Sequence, residues 1–217
     1  MGEWILTRKT FMAVGVLVLG TTNRGKVREL RDLLAPLGLQ LVALADLPDV
    51  LEVDETGDSF AANALLKATN QAVHLNAWVL AEDSGIVVDA LGGAPGIYSA
   101  RYAGPQASDA DNNTRLLLVL GDTPLHLRTA HYECALALAD PTGNIRLECG
   151  GSCEGRIRFE GVGTAGFGYD PLFEVIEYHR TFGELGEAVK AVLSHRTRAV
   201  EKFLPQVRPF VTAGRWA

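Results

Sequence analysis

The stretch Val14-Gly15-Val16-Leu17-Val18-Leu19 constrains the fold more than any other part of the chain. It is continuous, apolar and rich in β-branched residues, too short for a core helix, and closed by Gly20. Such a run reads as a strand buried on both faces, so other elements must cover it from either side. A chain of 217 residues, 47% hydrophobic and 21% charged, has enough apolar content to build that cover. The same composition excludes an intrinsically disordered chain. Apolar runs such as Phe11–Leu19 and Ala135–Ala139 fall short of the roughly 20 residues a membrane-crossing helix needs.

Twenty Lys+Arg against twenty-six Asp+Glu give a formal net charge of -6. General coating of a nucleic acid is thereby excluded, and any bound anion must be met by locally placed donors. Cys134, Cys149 and Cys153 are an odd number in a chain large enough to fold without disulfides, which points to a reducing, cytoplasmic setting. The Cys149/Cys153 pair lacks the second Cys or His pair of a zinc site and reads as structural. Residues 1–11 carry neither the apolar core nor the cleavage site of a signal peptide and read as an N-terminal extension. Residues 12–217 then form a single α/β domain.

After Gly20, Val27, Leu30 and Leu34 recur at helical spacing until Pro36, and Leu39–Leu44 reads as a second strand. Ser59 is placed to cap an Ala-rich helix from Phe60 to about Leu75. Trp78–Ala81 reads as a short strand that delivers Glu82, Asp83 and Ser84 at its end, with Ile86–Leu91 as its continuation. A helix is expected from about Ser108 to Leu120. Arg128–Ala139 and Ile145–Ile157 read as long strands joined by the turn Asp140–Asn144. The C-terminal part holds a glycine-rich loop, Gly161–Gly168, a helix around Glu184–Val189 and another from about Arg196 to Val207. Strands alternating with helices, then antiparallel strands, predict a mixed-sheet α/β protein.

Four segments carry candidate chemistry. Gly20-Thr21-Thr22-Asn23-Arg24-Gly25-Lys26-Val27 nearly spells a P-loop, but Val27 has no hydroxyl for a metal. The physics of the segment survives: free N–H groups at a helix start, with Lys26 beside them, suit a phosphate. Gly161-Val162-Gly163-Thr164-Ala165-Gly166 matches GxGxxG, yet Gly168 and Pro171 follow where a dinucleotide fold needs a helix. A glycine-dense turn carrying Phe167 and Tyr169 instead brings backbone and an aromatic face to a flat ligand. Asp54, Glu55, Glu82 and Asp83 are carboxylates from two elements, a set able to hold Mg²⁺ or orient water. Lys190 and Ser194-His195-Arg196 offer cations to an oxyanion, whereas Ser194 and His195 are adjacent and do not suit a nucleophile and its base.

In their order these segments are very similar to the inosine triphosphate pyrophosphatase family, the dITP/XTP pyrophosphatases of non-standard purine nucleotides. The resemblance lies in Thr21–Leu30, in Glu55-Thr56-Gly57 through Asn63–Ala68, and in Glu82-Asp83-Ser84-Gly85 through Gly92–Tyr102. Phe167-Gly168-Tyr169-Asp170-Pro171 and Ser194-His195-Arg196 complete it, so that it spans roughly residues 14 to 205.

The resemblance implies an elongated mixed β-sheet flanked by helices, with two lobes and a central substrate cleft, in a homodimer. It implies Mg²⁺-dependent hydrolysis of ITP, dITP and XTP to the monophosphate and pyrophosphate. Thr21, Thr22, Asn23, Arg24, Gly25 and Lys26 then take the triphosphate. Asp83 acts as catalytic base or metal-orienting carboxylate, Lys67 stands near the phosphates, and Ser84 sits beside the substrate. Asp54 falls at the second metal ligand, with Glu55 as the competing choice. Phe167, Gly168, Tyr169, Asp170, Lys190, His195 and Arg196 match the nucleotide-binding set, with Phe167 stacking on the base and His195 and Arg196 reading its 6-oxo edge. The chain departs from the family at Ala62, a common Glu, and at Asp54 and Glu82, which exchange Glu and Asp. A non-catalytic nucleotide sensor and a P-loop phosphotransferase are the competing classes.

Overall fold

In a computed structural model, which describes residues 15–213, β1 (Val16–Gly20) is buried at every position. The N-terminal extension expected at residues 1–11 lies outside the described residues. The chain continues through α1 (Arg24–Leu34), β2 (Gln40–Ala43), α2 (Phe60–Leu75) and β3 (Val79–Val88). β1 pairs in parallel with both β2 and β3, with Leu17 opposite Leu41 and Val18 opposite Val79. The step from β1 to β2 runs one way along the sheet, and the step from β2 back past β1 to β3 runs the other. Right-handed crossovers therefore put α1 and α2 on opposite faces of these strands. α1 buries Val27, Leu30 and Leu34, and α2 buries Phe60, Ala64, Ala68 and Ala72, each set at helical spacing. Burying one large apolar side chain such as Phe60 contributes about 1.5–3 kcal/mol. Ser59 caps α2 by accepting the Ala62 N–H, as its sequence position predicts, and Asn76 ends it in the left-handed conformation at φ 49°.

The remaining elements are α3 (Asp109–Leu120), β4 (Thr129–Ala139), β5 (Ile145–Ile157), β6 (Phe173–Val175), β7 (Arg180–Thr181), α4 (Phe182–Leu193) and α5 (His195–Thr212). Among the described residues, seven strands form one sheet in the order β2-β1-β3-β4-β5-β6-β7. It is parallel across β2, β1 and β3 and antiparallel across β5, β6 and β7, so the protein is a mixed-sheet α/β fold with flanking helices. By compactness the chain divides into two units. The first comprises the chain through Asp83, Ala135–Cys149 and the stretch from Ala199 onward; the second comprises Ser84–Cys134 and Gly150–Arg198. The second unit has its own apolar core, in which Ile86, Leu116, Tyr132, Ile157, Phe173 and Phe182 are all buried.

Five elements differ from their sequence expectation. β3 does not end at the acids: Glu82, Asp83 and Ser84 lie in the middle of one continuous strand, with Glu82 1% and Asp83 6% exposed. Buried carboxylates are tolerated inside a strand only when cations meet them, and here two lysines do so. β6 and β7 have three and two residues, too few to show any period in the sequence. α4 is longer than expected and carries a break at Gly186 (φ 79°, ψ 174°), while α5 runs on through Pro205 and Pro209.

Beyond the acids, β3 needs Gly85. A Cβ there would stand 2.3 Å from Ser99 Oγ and 2.7 Å from the Gly96 carbonyl. Ser99 cannot retreat, because its hydroxyl accepts the Ile86 N–H at 2.9 Å and donates to the Gly96 carbonyl at 2.6 Å. Gly85→Ala should therefore destabilise the protein by about 2–3 kcal/mol as an overpacked site. A urea midpoint within error of the parent's would disprove this close contact.

Candidate active site

The first unit gathers charge around two adjacent strand residues. Successive side chains of a strand point to opposite faces, so Glu82 and Asp83 face the two helices that the crossovers place there. Glu82 Oε1 lies 3.4 Å from Lys26 Nζ, on α1. Asp83 Oδ1 lies 2.8 Å from Lys67 Nζ, on α2. Its other oxygen accepts from Asn63 Nδ2 at 3.3 Å, and Asn63 is itself fully buried and takes the Gly57 N–H on Oδ1 at 2.9 Å. Both oxygens of Asp83 are thus held, and each keeps a lone pair for a further partner.

Lys67 is shared with a second carboxylate, Glu55 Oε1, at 3.0 Å. Asp54, in contrast, is exposed, and its backbone carbonyl accepts the Thr56 N–H at 3.0 Å. The geometry brings Glu55, the competing choice, to Lys67, which Asp83 also holds. Burial acts against the Lys67 ammonium, but the charge and hydrogen bond of Asp83, followed by those of Glu55, outweigh it. The net effect raises its pKa above the ordinary 10.5.

The Thr21–Lys26 segment leaves β1 beside the point where the strand order reverses, between β1 and β3, which is where open α/β sheets bind ligands. Asn23 caps α1 by accepting the Lys26 N–H at 3.1 Å, and Thr21 Oγ1 accepts the Asn23 N–H at 3.2 Å. No acidic residue occupies the first turn of α1, while Arg24 and Lys26 do. Thr22, Asn23 and Arg24 are exposed, Gly25 half-buried. The helix start is an electropositive cradle of the kind that takes a phosphate.

The second unit builds a separate set around Asp170, which is fully buried. Its Oδ2 accepts Lys190 Nζ at 2.6 Å and the Phe167 N–H at 2.8 Å, and its Oδ1 accepts the Tyr132 hydroxyl at 3.3 Å. Lys190 Nζ lies 4.2 Å from the centre of the Phe167 ring, and Arg196 Cζ lies 5.9 Å from it. Tyr132 stacks on the His195 ring with centroids 4.7 Å apart and planes 11° apart. Arg196, only 1% exposed, donates to Ser84 Oγ at 3.2 Å. Ser194 is the cap of α5, its hydroxyl accepting the Thr197 N–H at 3.2 Å, so it is engaged as a helix cap and not as a nucleophile. Burial pushes the Tyr169 phenol upward, and its hydroxyl donates to the Ser99 carbonyl at 2.8 Å. Phe167, Gly168, Tyr169, Asp170, Lys190, His195, Arg196 and Ser84 thus all fall in this unit.

Sequence reasoning overlooked two members of these sets. Tyr132 supports both His195 and Asp170, but nothing sets it apart from other aromatics in a long strand. Asn63 lies inside a quoted motif, and its signal is an amide placed one helical turn before Lys67, on the face of α2 that meets β3. Among the described residues no group of three or more His, Cys, Asp or Glu is arranged to hold a metal by itself. No helix is long and apolar enough to cross a membrane among those residues.

The model of the Ham1 family matches residues 17–206. The chain is 55% identical over 191 residues to a dITP/XTP pyrophosphatase of Rhodopirellula baltica, covering 88% of this chain and 92% of that protein. It is 50% identical over 196 residues to a dITP/XTP pyrophosphatase of an Exiguobacterium species, covering 90% and 98%. Its fold is similar to that of the Staphylococcus aureus Ham1 protein, with a TM-score of 0.78 at 35% identity over 92% of this chain and 99% of that one. A nucleoside-triphosphatase, or dITP/XTP pyrophosphatase, of Mycobacterium abscessus gives a TM-score of 0.71 at 40% identity, covering 88% and 99%.

Because protonated Lys67 is favoured by the fold, the stability it supplies is fully present below pH 10.5 and is lost as pH rises through its higher folded value. Lys67→Met should cost about 3 kcal/mol at neutral pH by stranding two carboxylates. The gap in urea-unfolding free energy between parent and variant should hold through mildly alkaline pH and shrink above 10.5. A gap that stays flat or widens there would contradict the ion-pair assignment.

Proposed function

The chain belongs to the Ham1 family, and from that premise we propose that it is a nucleoside triphosphate pyrophosphatase acting on non-standard purine nucleotides. The observation that carries the mechanism is the Asp83 carboxylate, fixed on one oxygen by Lys67 and on the other by Asn63. A carboxylate held in one orientation can aim a water and take its proton as the new bond forms. The water oxygen bonds to the α-phosphorus, the bond from that phosphorus to the α–β bridging oxygen breaks, and pyrophosphate leaves with the monophosphate as second product. Lys67 and Lys26 offset the negative charge that gathers on the departing group. Thr21, Thr22, Asn23, Arg24 and Gly25 take the phosphates through the helix start of α1.

The donors near Lys67 fit Mg²⁺ in one particular mode. Mg²⁺ on nucleotides is held by one or two carboxylates together with phosphate oxygens and water, and no larger protein cage is required. Asp83 and Glu55 supply two carboxylates, the number such an ion asks of a protein when it comes with its triphosphate. When bound, the ion neutralises phosphate oxygens and makes the α-phosphorus more open to attack. In this reading the ligands are Asp83 and Glu55, with Asp54 left to solvent.

For the base, the Phe167 ring gives a stacking face, and Lys190 and Arg196 beside it stiffen and polarise that face. His195 and Arg196, buried and oriented by Tyr132 and Ser84, are donors suited to a 6-oxo group, which hypoxanthine and xanthine have and adenine lacks. Gly168, Tyr169 and Asp170 hold the turn that carries Phe167. The same reading includes a homodimer in the cytoplasm, the former open to light scattering.

The test is pyrophosphate release from ITP, XTP, dUTP, ATP and GTP with Mg²⁺. ITP and XTP should be turned over well ahead of ATP, with pyrophosphate and not orthophosphate as product. Asp83→Asn should lower kcat by roughly a hundredfold or more while ITP still binds. Near-normal turnover in that variant would remove Asp83 from the mechanism, and equal rates on ATP and ITP would remove His195 and Arg196 from base reading.

A further inference from the structure

We propose that Asp109 and Asn113, on α3, are positioning residues that grip the backbone of Gly168 and thereby fix where the Phe167 ring stands; this rests on the reading that Phe167 stacks on the base. The two residues are four apart, so they share one face of the helix. Asp109 Oδ2 accepts the Gly168 N–H at 2.6 Å. Asn113 Nδ2 donates to the Gly168 carbonyl at 3.1 Å. Gly168 has φ 63°, in the left-handed region, where no helix or strand ladder satisfies its backbone groups. One side chain for each of its two polar groups is a complete solution from a single helix.

The grip is independent of the Asp170 set. Asp170 holds the Phe167 N–H, and Tyr169 is tied to the Ser99 carbonyl, so the turn is fastened before, at and after Gly168. α3 is in turn a firm base. Ser108 and Asp111 form a reciprocal capping box at its start. Asn112, between the two gripping residues and 3% exposed, faces the other way, accepting the Ala103 N–H at 2.8 Å and donating to the Ala100 carbonyl at 3.1 Å. A recognition ring mounted on a loop loses affinity if the loop must be ordered on binding, and fastening it to a helix in the free protein removes that cost. Neither residue belongs to the phosphate-handling set, so loosening the grip should weaken nucleotide binding and leave the bond-breaking step intact.

The experiment compares Asp109→Ala, Asn113→Ala and Asp109→Asn in the full chain, measuring pyrophosphate release from ITP and hydrogen exchange at the Gly168 amide. Asp109→Ala should raise KM for ITP about tenfold, the worth of one charge-assisted hydrogen bond, and Asn113→Ala, which loses a neutral one, about fivefold, each with kcat within about twofold of the parent. The Gly168 amide should exchange faster in Asp109→Ala. Asp109→Asn keeps an acceptor oxygen and should keep both KM and amide protection near the parent's. Asp109 also sits in the first turn of α3, where its charge favours the helix; Asn113→Ala has no such effect and carries the test alone if Asp109→Ala fails to fold. Unchanged KM with a loosened Gly168 amide, a fall in kcat matching the fall in kcat/KM, or an Asp109→Asn variant as impaired as Asp109→Ala would each overturn the proposal. A parent chain that releases no pyrophosphate from ITP would overturn the functional reading itself and this inference with it. An active parent matched by its alanine variants would overturn only the inference.

Discussion

A carboxylate with no exposed surface must be met by donors or the fold does not hold, and Asp170 is such a group. Donors reach it from three different elements: Lys190 from α4, Tyr132 from β4, and the Phe167 N–H from the glycine-rich loop. Meeting that one charge therefore fixes the loop, the end of α4 and the strand relative to one another. The rest of the geometry around Phe167 is downstream. Lys190 is drawn over the Phe167 ring, and Tyr132 presents its own ring to His195. Gly166 takes part as well: with φ 79°, a Cβ there would stand 2.0 Å from Asp170 Oδ2. The glycine is there because the carboxylate needs the space.

The first unit solves the same problem with a different partner. Asp83 and Glu82 are adjacent and nearly buried, and left alone they would repel. The alternation of a strand separates them to opposite faces, and each face carries a helix with one lysine turned inward. What links chemistry to topology is the reversal of strand order around β1. Without it both helices would lie on the same side, and one of the two acids would face no cation. The cost of burying charge is thus offset by the crossover pattern.

Much of this was legible in the residues. The Val16–Leu19 run could only be a doubly covered strand. Ser59 ahead of an alanine stripe fixed the start of α2, and the helical spacing of Val27, Leu30 and Leu34 marked α1. The order of the motifs carried the family resemblance. Other features needed three dimensions. Glu82-Asp83-Ser84 looks like the end of a strand because polar triplets end most strands; it continues here because Lys26 and Lys67 arrive from residues far away in sequence. Glu55 and Asp54 differ by one position, and no local rule says which faces α2. Tyr132 is one aromatic among several until His195 is seen stacked on it. β6 and β7 exist by pairing with β5 and with each other, a non-local cause that leaves no period to read.

The separation of Glu82 and Asp83 to opposite faces bears on how such a chain can drift over generations. A parity of two leaves no intermediate setting: adding or dropping one residue between Val79 and Glu82 would turn each acid toward the other's helix. Both ion pairs would then be lost in a single step, whereas point changes would test them one at a time. This stretch of β3 can therefore vary in letters but not in length. Any change in chain length has to be absorbed elsewhere, in segments such as the one before Ser59 that no ladder counts.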